Sequence, residues 1–93
     1  MNKYESIIII NSTLEDAEIK SVVEKFQSLI AENGTVESVE EWGKKRLAYP
    51  VKKHSEGYYT LYNFSSNPEF IVELERVYNI TDEVLKFITV KKD

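Results

Sequence analysis

Cysteine is absent from the 93 residues. No disulfide, thiolate nucleophile or cysteine-ligated metal can form, a usage that fits a reducing compartment. Histidine occurs once, as His54 directly after two lysines. A metal site therefore has no second histidine or cysteine to draw on, and no Ser–His–acid set converges at recognisable spacing. The three glycines, Gly34, Gly43 and Gly57, stand apart from one another, which excludes a glycine-rich phosphate loop. Long apolar runs are missing too. The longest, Ile7 to Ile10, falls far short of the roughly 20 residues of a membrane span. Lys3 precedes only these isoleucines, and no small-residue cleavage site follows, so no signal peptide is read. The expectation is a cytoplasmic protein, one domain over residues 1–93, with no cofactor, no metal site and no enzymatic activity.

What is present is an ordinary globular composition with an uneven charge. An apolar fraction of 42% is enough for one core at this length and too little for two. The formal net charge is −4, yet Trp42 to His54 holds five basic residues and no acid, leaving −9 for the rest. Within that stretch Leu47, Tyr49 and Val51 alternate with Arg46, Ala48, Pro50 and Lys52, the period of a strand with one apolar face. The basic side chains are thus displayed by folded structure, where they focus a local positive potential toward a polyanion. The overall acidity argues against indiscriminate nucleic-acid binding.

Taken in order, isoleucine-rich Tyr4–Ile10 predicts a strand. Ser12 and Glu15 have capping-box spacing, and Ile19, Val22, Val23, Phe26, Leu29 and Ile30 form one helical stripe over Leu14–Asn33. Asn33-Gly34 is read as a left-handed helix exit. Thr35–Lys53 reads as a long strand broken at Gly43, because Val36 and Val39 share no period of two with Leu47, Tyr49 and Val51. Pro50 cannot donate to a ladder, which puts this strand at a sheet edge. His54–Gly57 is read as a tight connection to the strand Tyr58–Phe64, with Tyr58, Thr60, Tyr62 and Phe64 on one face. Asn67 and Pro68 open a second helix with the stripe Ile71, Leu74, Val77 and Tyr78. Val84–Lys91 is the last strand.

The order β-α-β-β-α-β predicts an α+β, ferredoxin-like split βαβ sandwich, a four-stranded antiparallel sheet with both helices on one face. Right-handed crossovers place the first and third strands in the middle. Two helices cover only one side, yet Ile7 and Ile9 point opposite to Ile8 and Ile10. In the last strand Leu85 and Phe87 are read on one face, with Val84, Ile88 and Val90 on the other. The apolar residues without a helix over them predict a protein-binding surface, for a partner or a second copy. The RNA-recognition motif shares this element order, but Glu56, Thr60 and Asn63 depart from its signature at the basic and two aromatic positions, so the tyrosines of that strand are as readily packing residues.

Tyr4-Glu5, Asn33-Gly34, Trp42-Gly43-Lys44-Lys45-Arg46-Leu47-Ala48-Tyr49-Pro50, Glu56-Gly57-Tyr58-Tyr59 and Ile71 to Arg76 occur in order along essentially the whole chain. In these motifs the sequence resembles the bacterial ribosomal protein S6 family, the sixth protein of the small ribosomal subunit. The resemblance implies the same split βαβ fold. It also implies binding to the central domain of 16S rRNA during assembly, as a heterodimer with a small basic ribosomal protein, number eighteen. Carried over by position, Lys44, Lys45, Arg46, Lys52 and Lys53 become phosphate-contact candidates, with Lys3, Lys86, Lys91 and Lys92 as a second basic patch. Ile7, Ile9, Trp42, Tyr49, Tyr59 and Leu61 become partner-surface candidates. Some family members carry an acidic, glutamate-modified tail; this chain ends at Asp93 without one, and that modification is not carried over. A self-associating regulatory or ligand-binding module using the same apolar face is the alternative from another class.

Overall fold

A computed structural model describes residues 1–92. The elements follow the expected order: β1 (Asn2–Asn11), α1 (Asp16–Asn33), β2 (Gly34–Val51), β3 (His54–Ser66), α2 (Pro68–Ile80) and β4 (Val84–Lys92). The strands form one sheet in the order β2-β3-β1-β4, and every neighbouring pair is antiparallel. β1 and β3 are central, and β2, with Pro50, is an edge, as the proline requires.

Both helices pack on one side of the sheet. Ile19, Val22, Val23, Phe26 and Ile30 of α1 meet Phe70, Leu74 and Tyr78 of α2 over Tyr4, Ile8, Ile10, Tyr62 and Phe64. Phe26 is fully buried, and its ring centroid lies 4.7 Å from that of Tyr78. The Tyr62 hydroxyl donates to the Val23 carbonyl at 2.8 Å. Ser6 Oγ lies 2.8 Å from the Tyr78 hydroxyl and 3.0 Å from Thr89 Oγ1, so these buried polar groups satisfy one another. Thr60 Oγ1 is buried without a hydrogen-bond partner.

Five expectations need correction. α1 begins at Asp16 with Glu15 at its N-cap and no side-chain cap; Asn11 Oδ1 instead accepts from the Thr13 N–H and hydroxyl, so this Asx turn replaces the Ser12–Glu15 box. Gly34 is extended, at φ −176°, not left-handed. Its need is space, because a Cβ there would lie 2.1 Å from the Ser65 carbonyl oxygen. At the N-cap of α2, Asn67 makes no side-chain cap bond; its carbonyl accepts from the Phe70 N–H.

The β2–β3 turn is Lys52-Lys53, not His54–Gly57, because Val51 already opposes His54. Both lysines have positive φ, 49° and 69°, the two-residue turn that matches strand twist. Finally, the register of β4 slips between Ile9 and Ile10 of β1. Around that bulge Val84 joins the helix-side core while Leu85 packs with Ile9 on the other face. Phe87 packs helix-side against Tyr78 at 5.0 Å between centroids. The expected break of β2 at Gly43 is present, with φ 84° and a register shift between Glu41 and Gly43.

Burial pushes the phenols of Tyr62 and Tyr78 well above the ordinary range; for Tyr78 the Ser6 hydrogen bond only partly opposes this. An unfolded tyrosine ionises near pH 10. Above that pH the unfolded chain holds fewer protons than the folded one, so stability falls as pH rises. Each buried tyrosine contributes up to about 1.4 kcal/mol per pH unit to the slope. Urea unfolding from pH 8 to pH 11 is expected to be flat at first and then to fall, with a shallower fall in Tyr62→Phe. Stability unchanged through pH 10–11 would contradict the burial of both hydroxyls.

Candidate nucleic-acid and partner interface

Charge is divided by layer. The four strands and the Lys52-Lys53 turn carry nine of the twelve basic residues and, among the described residues, five acids. The helices with their flanking loops carry ten acids against Lys20, Lys25 and Arg76. The nine basic residues are the nine phosphate-contact candidates. A polyanion is therefore attracted to the sheet and its edges and repelled by the helical layer.

β1 ends where Asn11 opposes Gly57, so the β2–β3 hairpin runs on past its neighbour as an overhang. Arg46 opposes Glu56 and Val51 opposes His54, which leaves Leu47 to Pro50 facing the single residue Ser55. The surplus forms a bulge. Leu47 turns inward onto Ile9 and Leu85, flanked by Val51 and Tyr59, and Ala48, Tyr49 and Pro50 are left exposed. The hairpin thus covers part of the sheet face that no helix covers, namely Ile9 and Leu85.

The remainder of that face is a groove of about 210 Å³ whose lining includes Ile7, Ile9, Trp42, Tyr59, Lys86 and Ile88. Trp42 stacks on Tyr59 with centroids 6.5 Å apart and planes 15° from parallel. Its indole N–H donates to Glu40 Oε1 at 3.3 Å, and the Lys45 ammonium lies 5.9 Å from its ring centroid. Trp42 remains 43% exposed and Ile88 53%. Of the partner-surface candidates, Ile7, Ile9, Trp42 and Tyr59 line this groove together, Ile9 as a largely buried part of its floor. Leu61 is buried and does not line it, and Tyr49 stands apart on the overhang. Ile88 is not among the candidates carried over by position; its register opposite Ile7 is the signal that brings it in.

The basic candidates fall into two groups at opposite ends of the sheet. Lys44 opposes Tyr58, and Arg46 opposes Glu56, while Lys45 opposes Gly57 between them. Strand alternation therefore puts Lys45 on the groove side and Lys44 with Arg46 on the other side of the same free edge. Lys52 and Lys53 cap the overhang. Lys3 opposes Lys92, and Tyr4 opposes Lys91, at the far end. There Lys3 Nζ lies 3.9 Å from Glu37, and Lys92 Nζ donates to Asn63 Oδ1 at 3.4 Å. Lys86 does not join them. It opposes Ile9, about 17 Å along the strand from Lys91 at the usual rise, and donates to the Tyr49 hydroxyl at 3.1 Å. Among the described residues no cluster of three or more His, Asp or Glu is placed to hold a metal ion, and no helix is long and apolar enough to cross a membrane.

Residues 3–91 match the family model described as Ribosomal protein S6. The small ribosomal subunit protein bS6 of Clostridium novyi is 49% identical over 94 residues, spanning 100% of this chain and 99% of that protein. Its counterpart in Clostridium perfringens is 47% identical over the same span, with the same coverage. The crystal structure of 30S ribosomal protein S6 from Thermotoga maritima matches with a TM-score of 0.93 at 32% identity, covering 98% of this chain and 87% of that one.

Proposed function

The chain belongs to the ribosomal protein S6 family, and on that premise we propose that it binds the central domain of 16S rRNA together with the small basic ribosomal protein number eighteen. It does so as a structural component of the small ribosomal subunit in the cytoplasm, a clamp that carries out no reaction. The observation that carries this reading is the layering of charge. An acidic chain that gathers nine of its basic residues on the strands and their turn presents cations at the edge and ends of the sheet to phosphates, which fix orientation. Specificity comes from the folded shape of an rRNA junction and from the partner, and the partner supplies the positive charge that this chain lacks.

The groove beside Trp42 is the partner's seat. A stacked, half-exposed tryptophan in an apolar depression is the residue type that dominates interface energetics. Trp42→Ala is expected to weaken association with the partner by at least about 2 kcal/mol, roughly thirtyfold, with the folded structure retained. Isothermal titration of the two proteins, with far-UV dichroism as the folding control, measures it. Unchanged affinity would move the partner off this face, and a stable homodimer with no affinity for the partner would favour self-association.

A further inference from the structure

We propose that Tyr49 is a stacking platform for one unpaired rRNA base, with Lys86 placed to hold a phosphate beside it; this rests on the RNA-binding reading above. The observations separate Tyr49 from the other exposed aromatic residue on this side. Trp42 is occupied by Tyr59 and belongs to the apolar groove, whereas Tyr49 is 61% exposed and no aromatic stacks on it. Its backbone is nevertheless held. Leu47, two residues earlier, is anchored under the bulge on Ile9 and Leu85, and Pro50 fixes the next dihedral. A large flat side chain is thus displayed with little freedom left to lose on binding.

Lys86 lies 5.3 Å from the Tyr49 ring centroid but only 3.1 Å from its hydroxyl. These two distances place the ammonium past the hydroxyl end of the ring, not above its centre, so it does not cap the ring face. Between Tyr49 and the sheet lies a cleft of about 100 Å³ with an apolar floor of Ile9, Leu47, Val51 and Tyr59 and with Lys86 in its wall. That is space for one flat ring and too little for a helix. One cation, Lys86, stands in the wall of the cleft; Lys52 lines the adjoining depression together with Lys86, while Arg46 points to the other side of the strand. An aromatic platform with cations to one side of it is the pattern that binds single-stranded nucleic acid, in which stacking tolerates any base and the cations follow the backbone. A protein loop would gain nothing from the cations unless it were acidic.

The test is equilibrium binding of a transcribed 16S rRNA central-domain fragment, with the basic partner protein present, across a potassium chloride series. Tyr49→Leu keeps bulk and hydrophobicity but removes the ring. It is expected to weaken binding about 5- to 150-fold, the range for one stacked base, at an unchanged log–log salt slope. Tyr49→Phe restores affinity to within about twofold, because stacking needs no hydroxyl. Lys86→Ala lowers the slope by roughly 0.7–0.9, the share of one phosphate. Three results would overturn the proposal. Tyr49→Leu could bind RNA like wild type, Tyr49→Phe could fail as Leu does, or the loss could appear only in binding to the partner protein without RNA. A wild-type protein that binds no RNA would overturn the RNA-binding reading as well, which separates the two failures.

Discussion

Replacing Phe26 by alanine is expected to remove about 3–5 kcal/mol of stability, the usual cost of a large aromatic deletion from a closed core. The ring has no exposed surface. It packs 4.7 Å from Tyr78, which in turn packs 5.0 Å from Phe87, so one side chain joins α1 and α2 to β4. Tyr78 is itself held by Ser6, and that hydrogen bond resists the inward shift that would close the cavity. A 93-residue domain has roughly 5–14 kcal/mol to lose, so the variant sits near the limit of folding at room temperature. Urea unfolding should show a large fall in midpoint with little change in slope. A loss under about 1 kcal/mol would mean that this position is not the centre of the core.

Replacing Lys44, Lys45 and Arg46 together by alanine should leave stability nearly unchanged and damage RNA binding. The three are exposed. The ion pairs found among the described residues, Lys3 with Glu37 and Arg76 with Glu73, involve none of them, and surface charge substitutions are usually small in effect. Every phosphate left without its cation lowers the log–log salt slope by roughly 0.7–0.9, so the triple variant should flatten it by about 2–3. The weakening should be similar for fragments of altered sequence, since phosphate-binding side chains read little of the base sequence. Because Lys45 lies on the groove side of β2 and Lys44 and Arg46 on the other, the full effect requires RNA that follows the free edge of the strand. A slope reduced by only about a third of that amount would mean that the RNA lies on the groove side of β2 alone, and by about two thirds, on the other side alone. An unchanged slope would remove this strip from the RNA surface.

The architecture is legible in the sequence wherever one local pattern has one structural solution. The α1 stripe, the proline in β2 and the mismatch of phase around Gly43 each have one inexpensive outcome, and together they order the strands. What is not legible depends on register between distant segments. The slip that sends Leu85 away from Phe87 is set by how β4 meets β1. The Lys52-Lys53 turn contradicts local preference, since lysine is uncommon at positive φ; pairing of Val51 with His54 imposes it. Gly34 reads as a turn glycine, but the Ser65 carbonyl across the ladder is what excludes a side chain.

The site is legible in composition and only partly in position. All nine basic candidates do lie on the strands or their turn, but the expected alternation of Leu47, Tyr49 and Val51 along one apolar face does not hold, because the bulge opposite Ser55 turns Leu47 inward and leaves Tyr49 exposed. Nearness in sequence groups Lys86 with Lys91 and Lys92, whereas five residues of extended chain separate the ends of a strand. The same nearness groups Tyr49 with Trp42 as aromatics of one stretch. The bulge of β2, four residues opposite Ser55 alone, divides them, putting Trp42 in the groove and Tyr49 on the overhang.

The measurement that bears most directly on the whole account is equilibrium binding of the 16S rRNA central-domain fragment by this chain alone, by the basic partner alone and by both, over a salt series. Tight binding only when both proteins are present, with a salt slope steeper than either protein gives alone, is the predicted result. It would make the cationic sheet edge and the Trp42 groove two halves of one assembly step. Binding by neither protein nor by the pair would contradict the account and leave the apolar groove as a surface for self-association.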